Sequence, residues 1–419
     1  ALRVVRLLRP GRRPPGRRGH RHPEGSRHRP RRDRRRPARR AHRQGRPGRR
    51  DPANTSSPHT CRPPHGPARP PLADTTVSTS LALLSDQELG ALLASGTPAG
   101  AGVGGRGTLV EVDGVRVFVK RVPLTDLERL PENVRSTANL FGVPAYCHYG
   151  IGAVPGPGFG AWRELAVHTM TTNWVLADEF SGFPLLHHWR VLPEPEQRLL
   201  PGELADVEAA VGHWGGAEGV RRRIEALRTA SAGVALFLEY FPYTLHDWLR
   251  AQLAAGEAES CCRLVEQGLE DLTSFLRDRR LLHMDAHFGN ILTDGHRLHL
   301  ADYGLTLSFR FRLPRDERAF FARHRAYDRA YTSHYLVLWF VTELYGHRGE
   351  ERSAFIRACA DGGRPEGIPE AVGELISRHA RTAAAMDDFS RRFQRGVTEW
   401  EPPPPDTARH PAPVPAAPS

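Results

Sequence analysis

Alternating apolar and polar positions predict two short β-hairpins in this chain. The first would join residues 108–112 to 115–120, and the second would join 291–292 to 298–300, each through an Asp-Gly pair. Asp-Gly between alternating segments is a strong hairpin signal, because the tight turn requires residues that tolerate positive φ. The continuous apolar run 234–241 predicts a buried strand.

Apolar residues at helical spacing dominate much of the remaining sequence. Thr244, with Asp247 three residues later, is typical of a helix N-terminus. Two helices joined near residues 214–216 are predicted within a segment, 194–230, of unknown purpose. Longer helices are expected at 162–176, 265–280, 327–345 and 369–393. The pattern therefore indicates an α+β fold with a helix-rich second half.

Composition adds one unusual feature to this pattern. The chain contains a single lysine, Lys120, against 58 arginines, and it lies on the second strand of the first hairpin. An ammonium is a compact charge that fits between phosphate oxygens and a carboxylate, whereas a guanidinium is a broad planar fork. Lys120 therefore suggests an anchor for nucleotide phosphates. The alternative is a chance lysine that escaped a drift towards arginine.

A second group of polar residues flanks the other hairpin. Asp285 and Asn290 are five residues apart, and Asp302 follows twelve residues later at the start of Asp-Tyr-Gly. A carboxylate at Asp285 can orient an attacking hydroxyl and accept its proton. An amide oxygen and a second carboxylate are ligands that Mg²⁺ accepts beside phosphates. The hairpin would bring Asn290 and Asp302 together at its open end.

These motifs resemble those of the protein-kinase-like superfamily, which includes aminoglycoside phosphotransferases, choline kinases and bacterial protein kinases. The loop 283–290, His-Met-Asp-Ala-His-Phe-Gly-Asn, is closer to the His-Gly-Asp-x-His-x-x-Asn pattern of the small-molecule phosphotransferases. Eukaryotic-type protein kinases have Lys two residues after the catalytic Asp, where this chain has His287. The resemblance covers residues 100–345, with stronger motifs in the second half of that range.

The resemblance implies a bilobal fold, in which a small antiparallel β lobe and a larger α-rich lobe enclose ATP and Mg²⁺. Asn290 and Asp302 would bind Mg²⁺. Asp285 would orient the acceptor hydroxyl, and His287 would lie near the γ-phosphate or the substrate. His283 would brace the loop.

A lysine at position 120 would hold the α- and β-phosphates and would pair with a glutamate on the following helix. Glu164 is the predicted partner, on the helix expected at 162–176. The interval between Lys120 and Glu164 is 43 residues and includes the Pro/Gly-rich stretch 150–160, an expected loop insertion. Glu128 and Glu132 are closer alternatives, and Glu164 could also be an ordinary surface residue.

Glycines and the apolar strand complete the predicted nucleotide site. Gly102, Gly104 and Gly107 fit Gly-x-Gly-x-x-Gly, and their backbone would cover the phosphates. A flexible linker is the alternative, because glycine is abundant here. A dinucleotide-binding site is disfavoured, since no helix follows the glycines. The strand 234–241 resembles a hinge whose backbone, between Glu239 and Phe241, would bond adenine.

Charge separates the amino-terminal segment from the rest. The first 72 residues hold 23 arginines and three acidic residues, while the remainder holds 36 basic and 44 acidic residues. One interpretation is a disordered polycation that binds nucleic acid through phosphates. The other is a segment that is not natively translated, with translation starting at Val77. Both termini are expected to be disordered.

The expected organisation has four parts. These are an Arg/Pro-rich tail at 1–76, a small nucleotide lobe with insertions at 77–241, an α-rich catalytic lobe at 242–400 and a Pro-rich tail at 401–419. The cysteines show neither Cys-x-x-Cys spacing nor the density of a disulfide scaffold, which predicts a reducing, cytoplasmic location. No membrane partner is expected.

The acceptor is the least determined part of the prediction. No Ala-Pro-Glu follows Gly304, and together with His287 this favours a small-molecule alcohol over a protein Ser/Thr acceptor. An ATP-binding pseudokinase is a further alternative. A metal-dependent hydrolase could use His283, Asp285 and His287 as ligands, but that function leaves Lys120 and Asp-Tyr-Gly unexplained.

Overall fold

The computed structural model describes residues 71–102, 105–152, 154–194, 200, 202–396 and 398–401. Gly104 and nearly all of the two predicted tails lie outside these residues. The predicted boundary between residues 76 and 77 falls inside the first helix, α1 (Pro71–Leu83). The described part of the chain therefore begins before Val77.

An antiparallel sheet of five strands lies in the first half of the chain. In spatial order the strands are β1 (Thr97–Gly102), β2 (Gly105–Val112), β3 (Val115–Leu124), β5 (Ala232–Glu239) and β4 (Leu186–Pro193). Val112 pairs with Val115 across the turn, which confirms the first predicted hairpin. The predicted strand at 234–241 corresponds to β5, and seven of its eight residues are buried.

Strand β1 was not predicted from the sequence. Its residues, Thr-Pro-Ala-Gly-Ala-Gly, have low strand propensity, and its pairing with β2 is irregular between Pro98 and Ala101. The strand forms because its backbone pairs with the backbone N–H and C=O groups of β2. Gly102 pairs with Gly105 and Gly107 lies within β2, so these glycines belong to paired strands and not to a flexible linker.

The two faces of the sheet are covered by different helices. Side chains alternate along a strand, so Val117 and Val119 of β3 lie on one face and Val122 and Leu124 on the other. The first face packs against α1 and α2 (Asp86–Ser95). The second face packs against α4 (Ala161–Leu176). Lys120, at an even position, therefore lies on the face that carries α4.

Helices make up most of the rest. The short ones are α3 (Asp126–Arg129), a 3₁₀ helix (Ala145–His148) and α5 (Gly202–Ala205). The longer ones are α6 (Val207–His213), α7 (Glu218–Arg228), α8 (Leu245–Ala254), α9 (Ala258–Asp278), α10 (Arg315–Arg323), α11 (Tyr327–Tyr345), α12 (Gly349–Ala360) and α13 (Glu370–Gln394). Helices α9, α11, α12 and α13 pack around a common apolar core.

Short strands connect this helical part to the site. They form two small sheets, one of β7 (Leu281–Leu282) with β10 (Leu307–Ser308), the other of β6 (Tyr243–Thr244), β8 (Ile291–Thr293) and β9 (Leu298–Leu300). Strands β8 and β9 are antiparallel, which confirms the second predicted hairpin. Thr244 caps α8 by accepting the N–H of Asp247, as predicted.

The fold is thus α+β, with an antiparallel sheet and a helical part. No helix among the described residues is both long and apolar enough to cross a bilayer. The cysteines in the same residues, Cys147, Cys261, Cys262 and Cys359, are buried and unbridged.

Candidate active site

Lys120 lies between two carboxylates that come from distant parts of the chain. Its Nζ is 2.7 Å from Glu164 Oε1 and 2.7 Å from Asp302 Oδ1. Glu164 lies in the first turn of α4, on the helix face that packs against the sheet. Lys120 and Glu164 are buried, whereas the Asp302 side chain keeps 45% of its surface exposed. The exposed carboxylate is therefore the one that a ligand can reach.

The three charges perturb one another strongly. Burial alone would lower the pKa of Lys120, but Asp302 and Glu164 raise it above its ordinary value, so the amine stays charged. Partial burial opposes ionisation of Asp302, yet the Lys120 ammonium holds the pKa of Asp302 at about 2. Burial raises the pKa of Glu164, and Lys120 offsets only part of this effect. Asp302 is therefore the permanent anion of the group.

The two alternative partners of Lys120 lie elsewhere. Glu128 is buried and accepts hydrogen bonds from the Ala161 N–H at 2.7 Å and from Arg223 Nη1 at 2.8 Å. It therefore caps α4 and ties α7 to it. Glu132 is exposed to solvent. Glu128 and Glu132 are the nearer candidates along the chain, but the fold brings Glu164 to Lys120.

Asp285 lies in a loop whose conformation is fixed by its own side chains. Asn290 Nδ2 donates to the backbone oxygen of Asp285 at 2.9 Å and to its carboxylate Oδ2 at 3.2 Å. His283 is buried, with Nε2 3.1 Å from the Ala301 oxygen and Nδ1 accepting the Asp285 N–H at 3.3 Å. Both ring nitrogens of His283 are thus engaged by backbone, so the histidine braces the loop. This bonding removes it as a metal ligand and counts against the hydrolase.

Asp328, which the sequence analysis did not identify, anchors this loop through hydrogen bonds to its backbone. The buried carboxylate of Asp328, in the first turn of α11, accepts the N–H of His283 at 2.7 Å and of Met284 at 2.8 Å. Met284 has φ of 69° and Asp302 has φ of 64°, both in the left-handed region that side chains rarely adopt. The bonds from Asp328 therefore hold the strained backbone at Met284 in place.

Gly150 is the second unpredicted residue beside Asp285. Its N–H donates to the Met284 oxygen at 3.1 Å, and Tyr331 Oη donates to the Gly150 oxygen at 3.4 Å. A β-carbon at position 150 would collide with the Asp285 carboxylate. Only the absence of a side chain lets this segment approach so closely. A lone glycine in a glycine-rich stretch gives no signal of this kind in the sequence.

His287 also lies beside Asp285, although without a direct bond. Its Nε2 is 3.9 Å from Asp285 Oδ1, and its Nδ1 accepts the Gly289 N–H at 3.0 Å. Burial lowers the pKa of His287, which favours the neutral ring. Because Nδ1 accepts a bond, the proton of the neutral ring lies on Nε2, the nitrogen nearer to Asp285.

Asn290 and Asp302 come together at the open end of the β8–β9 hairpin, as the sequence predicts. The Ala301 N–H donates to the backbone oxygen of Asn290 at 2.8 Å, and Asp302 is the next residue after Ala301. Lys120 and the Gly304 N–H both approach Asp302 Oδ1, which leaves Oδ2 for a ligand. The amide nitrogen of Asn290 faces Asp285, which leaves its amide oxygen for the same use. No group of three or more His, Cys, Asp or Glu side chains in the described residues is arranged to hold a metal ion.

The other predicted nucleotide-binding residues lie along the sheet. Gly107 faces Lys120 across the β2–β3 pairing, and Gly102 ends β1. Glu239 ends β5, where its N–H donates to the Leu185 oxygen at 2.9 Å. Lys120 pairs with Leu236 in the same strand, so Glu239 lies about 10 Å further along the sheet. Phe241 follows and stacks on His299, with ring centroids 4.1 Å apart.

A cavity of about 320 Å³ opens beside these residues. Its lining includes Asp285, His287, Asn290 and Asp302, together with the glycine- and proline-rich residues 149–152 and 154–160.

No protein-family model matches the chain, and a search of curated proteins finds no significant match.

Proposed function

We propose that this chain is an ATP- and Mg²⁺-dependent phosphotransferase that moves the γ-phosphate of ATP to the hydroxyl of a small molecule. The observation that carries the proposal is the single lysine held 2.7 Å from both Glu164 and Asp302. A buried amine with one exposed carboxylate partner is suited to phosphate oxygens on one side and a metal on the other. The Asp285–Asn290 loop lies beside the same cavity.

The proposed fold is bilobal and kinase-like. The five-stranded sheet with α4 would form the nucleotide lobe, and α8 to α13 would form the catalytic lobe. The adjoining ends of β1 and β2, with Gly102 and Gly107, would cover the phosphates. Backbone groups between Glu239 and Phe241 would contact adenine at the end of β5. Support for this arrangement comes from the antiparallel sheet and from the position of Lys120 on the face that α4 covers.

The residues present fit a magnesium ion. Mg²⁺ prefers oxygen ligands and uses few from the protein when phosphates supply the rest. Asp302 Oδ2 and the amide oxygen of Asn290 are such oxygens, and both residues line the cavity. When bound there, the ion would neutralise charge on the β- and γ-phosphates.

Asp285 would position the acceptor hydroxyl and take its proton. Burial, and then the nearby Asp302, raise the pKa of Asp285 well above its ordinary value, which makes its carboxylate a stronger base. Asn290 orients the carboxylate by donating to Oδ2. His287, neutral and with its Nε2 proton near Asp285, would donate to the transferring phosphate or to the substrate.

Mutation of the charged group tests this proposal directly. We expect Lys120→Met and Asp302→Asn to lose ATP turnover by on the order of 100-fold or more, because positioning and charge neutralisation supply most of the catalysis. Arg121→Met is the matched control, since Arg121 is the next residue of β3 and pairs with Glu194 on the other face. Circular dichroism would establish that each variant is folded. Turnover at the wild-type rate in Lys120→Met would refute the proposal.

A second experiment separates the alternative acceptors. The chain would be incubated with γ-labelled ATP and cell extract, and labelled small molecules would be separated from labelled protein. Label in small molecules supports the proposed function, and label in protein supports a Ser/Thr protein kinase. ATP binding without any transfer, unchanged by Asp285→Asn, would indicate a pseudokinase.

A further inference from the structure

The cavity beside Asp285 has walls that come from parts of the chain with no assigned role. One wall is formed by residues 149–152 and 154–160, and its apolar lining residues include Ile151, Val154 and Phe159. Another wall is α7 of the insertion, which contributes Leu227 and Arg223. The lining thus combines polar residues, among them Asp285, with apolar residues from these two segments. A molecule in the cavity could meet Asp285 and apolar surface together.

The loop that forms the first wall is anchored at both of its ends. Near its start, Gly150 is bonded to the Met284 backbone next to Asp285. Towards its other end, Phe159 stacks on buried His148 with ring centroids 3.5 Å apart, and His148 Nδ1 is 2.8 Å from the Leu305 oxygen. Leu305 follows the Asp-Tyr-Gly motif and also lines the cavity. The wall is therefore preformed by contacts with the catalytic loop and with the segment after Asp302.

The lining offers no free positive charge to an anionic molecule. Among the described residues that line the cavity, Arg223 is the one arginine, and it is 2.8 Å from the buried carboxylate of Glu128. His287 has its Nε2 3.9 Å from Asp285 Oδ1, and its Nδ1 already accepts the Gly289 N–H. Glu164, Asp285 and Asp302 are acidic. Apart from the magnesium ion, which the transferring phosphate would engage, a carboxylate or phosphate on the acceptor would meet no free cation in this lining.

We propose that this cavity is the acceptor site, and that the acceptor is a compact alcohol with an apolar body and no anionic group. The inference rests on the proposed phosphotransfer, since it assigns the substrate class of the same site. The volume of about 320 Å³ corresponds to roughly ten water molecules, which is room for a small acceptor. The hydroxyl would lie at Asp285 and the body against Ile151, Val154 and Leu227.

Binding can be measured without catalysis. A panel of small neutral and amine-bearing alcohols would be compared with hydroxy acids and sugar phosphates of similar skeleton by ligand-observed NMR. We expect members of the first group to bind and the anionic group not to bind. Preference for the anionic alcohols, or no binding by any member of the panel, would overturn the inference.

A second experiment fills the cavity with larger side chains, which should exclude the alcohol. Ile151→Trp and Val154→Trp should abolish binding of the alcohols and lower kcat/KM for any accepted alcohol by about 100-fold, while the KM for ATP stays unchanged. Leu176→Trp is the matched control, because Leu176 is an exposed apolar residue at the end of α4 and does not line the cavity. Unchanged transfer in both cavity variants would overturn the inference.

Nucleotide binding distinguishes this failure from failure of the proposed function. ATP binding by the full chain, with Lys120→Met as the reference, is measured in the absence of alcohols. If ATP binds, but the NMR panel and the Trp variants give the overturning results, only the acceptor assignment is wrong. If ATP does not bind, the phosphotransferase itself is wrong, and the acceptor assignment falls with it.

Discussion

Gly150 lies so close to Asp285 that the glycine has no room for a side chain. Its N–H is bonded to the Met284 oxygen, so the backbone at this point runs directly against the loop that carries the proposed base. A β-carbon would collide with the carboxylate, which is itself held by Asn290. The backbone before α4 therefore packs directly against the loop 283–290, with no space for a β-carbon between them.

Gly150→Ala should therefore displace the carboxylate without disturbing the nucleotide side of the site. Position 150 does not have the positive φ that disfavours alanine, so the effect is steric. We expect kcat to fall by on the order of 100-fold, because small misplacements of a catalytic group cost about that much. ATP affinity should stay unchanged. Steady-state kinetics with ATP and acceptor would measure both.

Gly90→Ala is the control for this change. Gly90 lies in the exposed part of α2, and no heavy atom is close to the position that its β-carbon would take. Alanine should therefore raise stability by about 0.5–1 kcal/mol and leave turnover unchanged. Full activity in Gly150→Ala would show that Asp285 can move freely and is not the positioned base.

Substitution of Glu164 and of Glu128 should have different effects, because Glu164 contacts Lys120 and Glu128 does not. Glu164→Gln should lower kcat/KM by on the order of 100-fold by releasing the lysine from its position. Glu128→Gln should instead lower the free energy of unfolding by about 3–5 kcal/mol, because it leaves the buried guanidinium of Arg223 without a counter-charge. Kinetics and urea unfolding on both variants would separate the two roles. Equal kinetic effects would contradict the assignment of Glu164.

Local patterns were enough to predict the parts of the site that lie on hairpins. Both Asp-Gly hairpins are present, and the second brings Asn290 and Asp302 together. Turn chemistry and alternation determine such elements within a few residues of sequence, so they can be predicted from it. The pairing of Lys120 with Glu164 depended on a resemblance, because spacing along the chain favoured Glu128.

Contacts between distant segments could not be predicted in the same way. Asp328 and Gly150 contact the loop 283–290 from separate elements, and neither has a neighbouring motif. Their importance depends on which backbone they meet in space. Strand β1 was missed for a related reason, since its pairing with β2 outweighs the low strand propensity of proline and glycine.

A buried ion pair links α4 to the segment that follows Asp-Tyr-Gly. Arg163, the neighbour of Glu164, donates to both carboxylate oxygens of Glu317 at 3.1 and 2.8 Å, and Asn139 donates to the same carboxylate at 3.1 Å. Both side chains of the pair are buried. Arg163→Met should cost about 3–5 kcal/mol of unfolding free energy, because Glu317 loses its counter-charge. Turnover should fall as well, since the position of Glu164 depends on this end of α4.

The double variant Arg163→Met, Glu317→Leu should recover much of that loss, because it removes both buried charges together. Arg263→Met serves as the control, since Arg263 forms an exposed pair with Glu259 within α9 and should leave the unfolding free energy unchanged. Urea denaturation of five proteins provides the comparison: wild type, Arg163→Met, Glu317→Leu, the double variant and Arg263→Met. Additive losses in the double variant would show that the pair is not the source of the coupling.

Asp328 should make the stability of the chain depend on pH in a defined direction. Burial raises the pKa of Asp328 to about 6 in the folded state, above its ordinary value of 3.8. Between these values the unfolded chain releases the proton while the folded chain keeps it, so stability falls as the pH rises from about 4 to 6 and then stays level. The loss amounts to roughly 3 kcal/mol.

Asp328→Asn removes this titration. The amide cannot ionise, and it leaves one of the two backbone N–H donors of the loop without its acceptor, which gives an offset that does not vary with pH. The unfolding free energy of the variant relative to wild type should therefore rise with pH between about 4 and 6, by roughly 3 kcal/mol, and be constant above 7. Urea unfolding across this range measures it, with Asp361→Asn as an exposed control. A difference that does not change with pH would mean that Asp328 is ionised throughout, and that its bonds to the loop outweigh the cost of burying the charge.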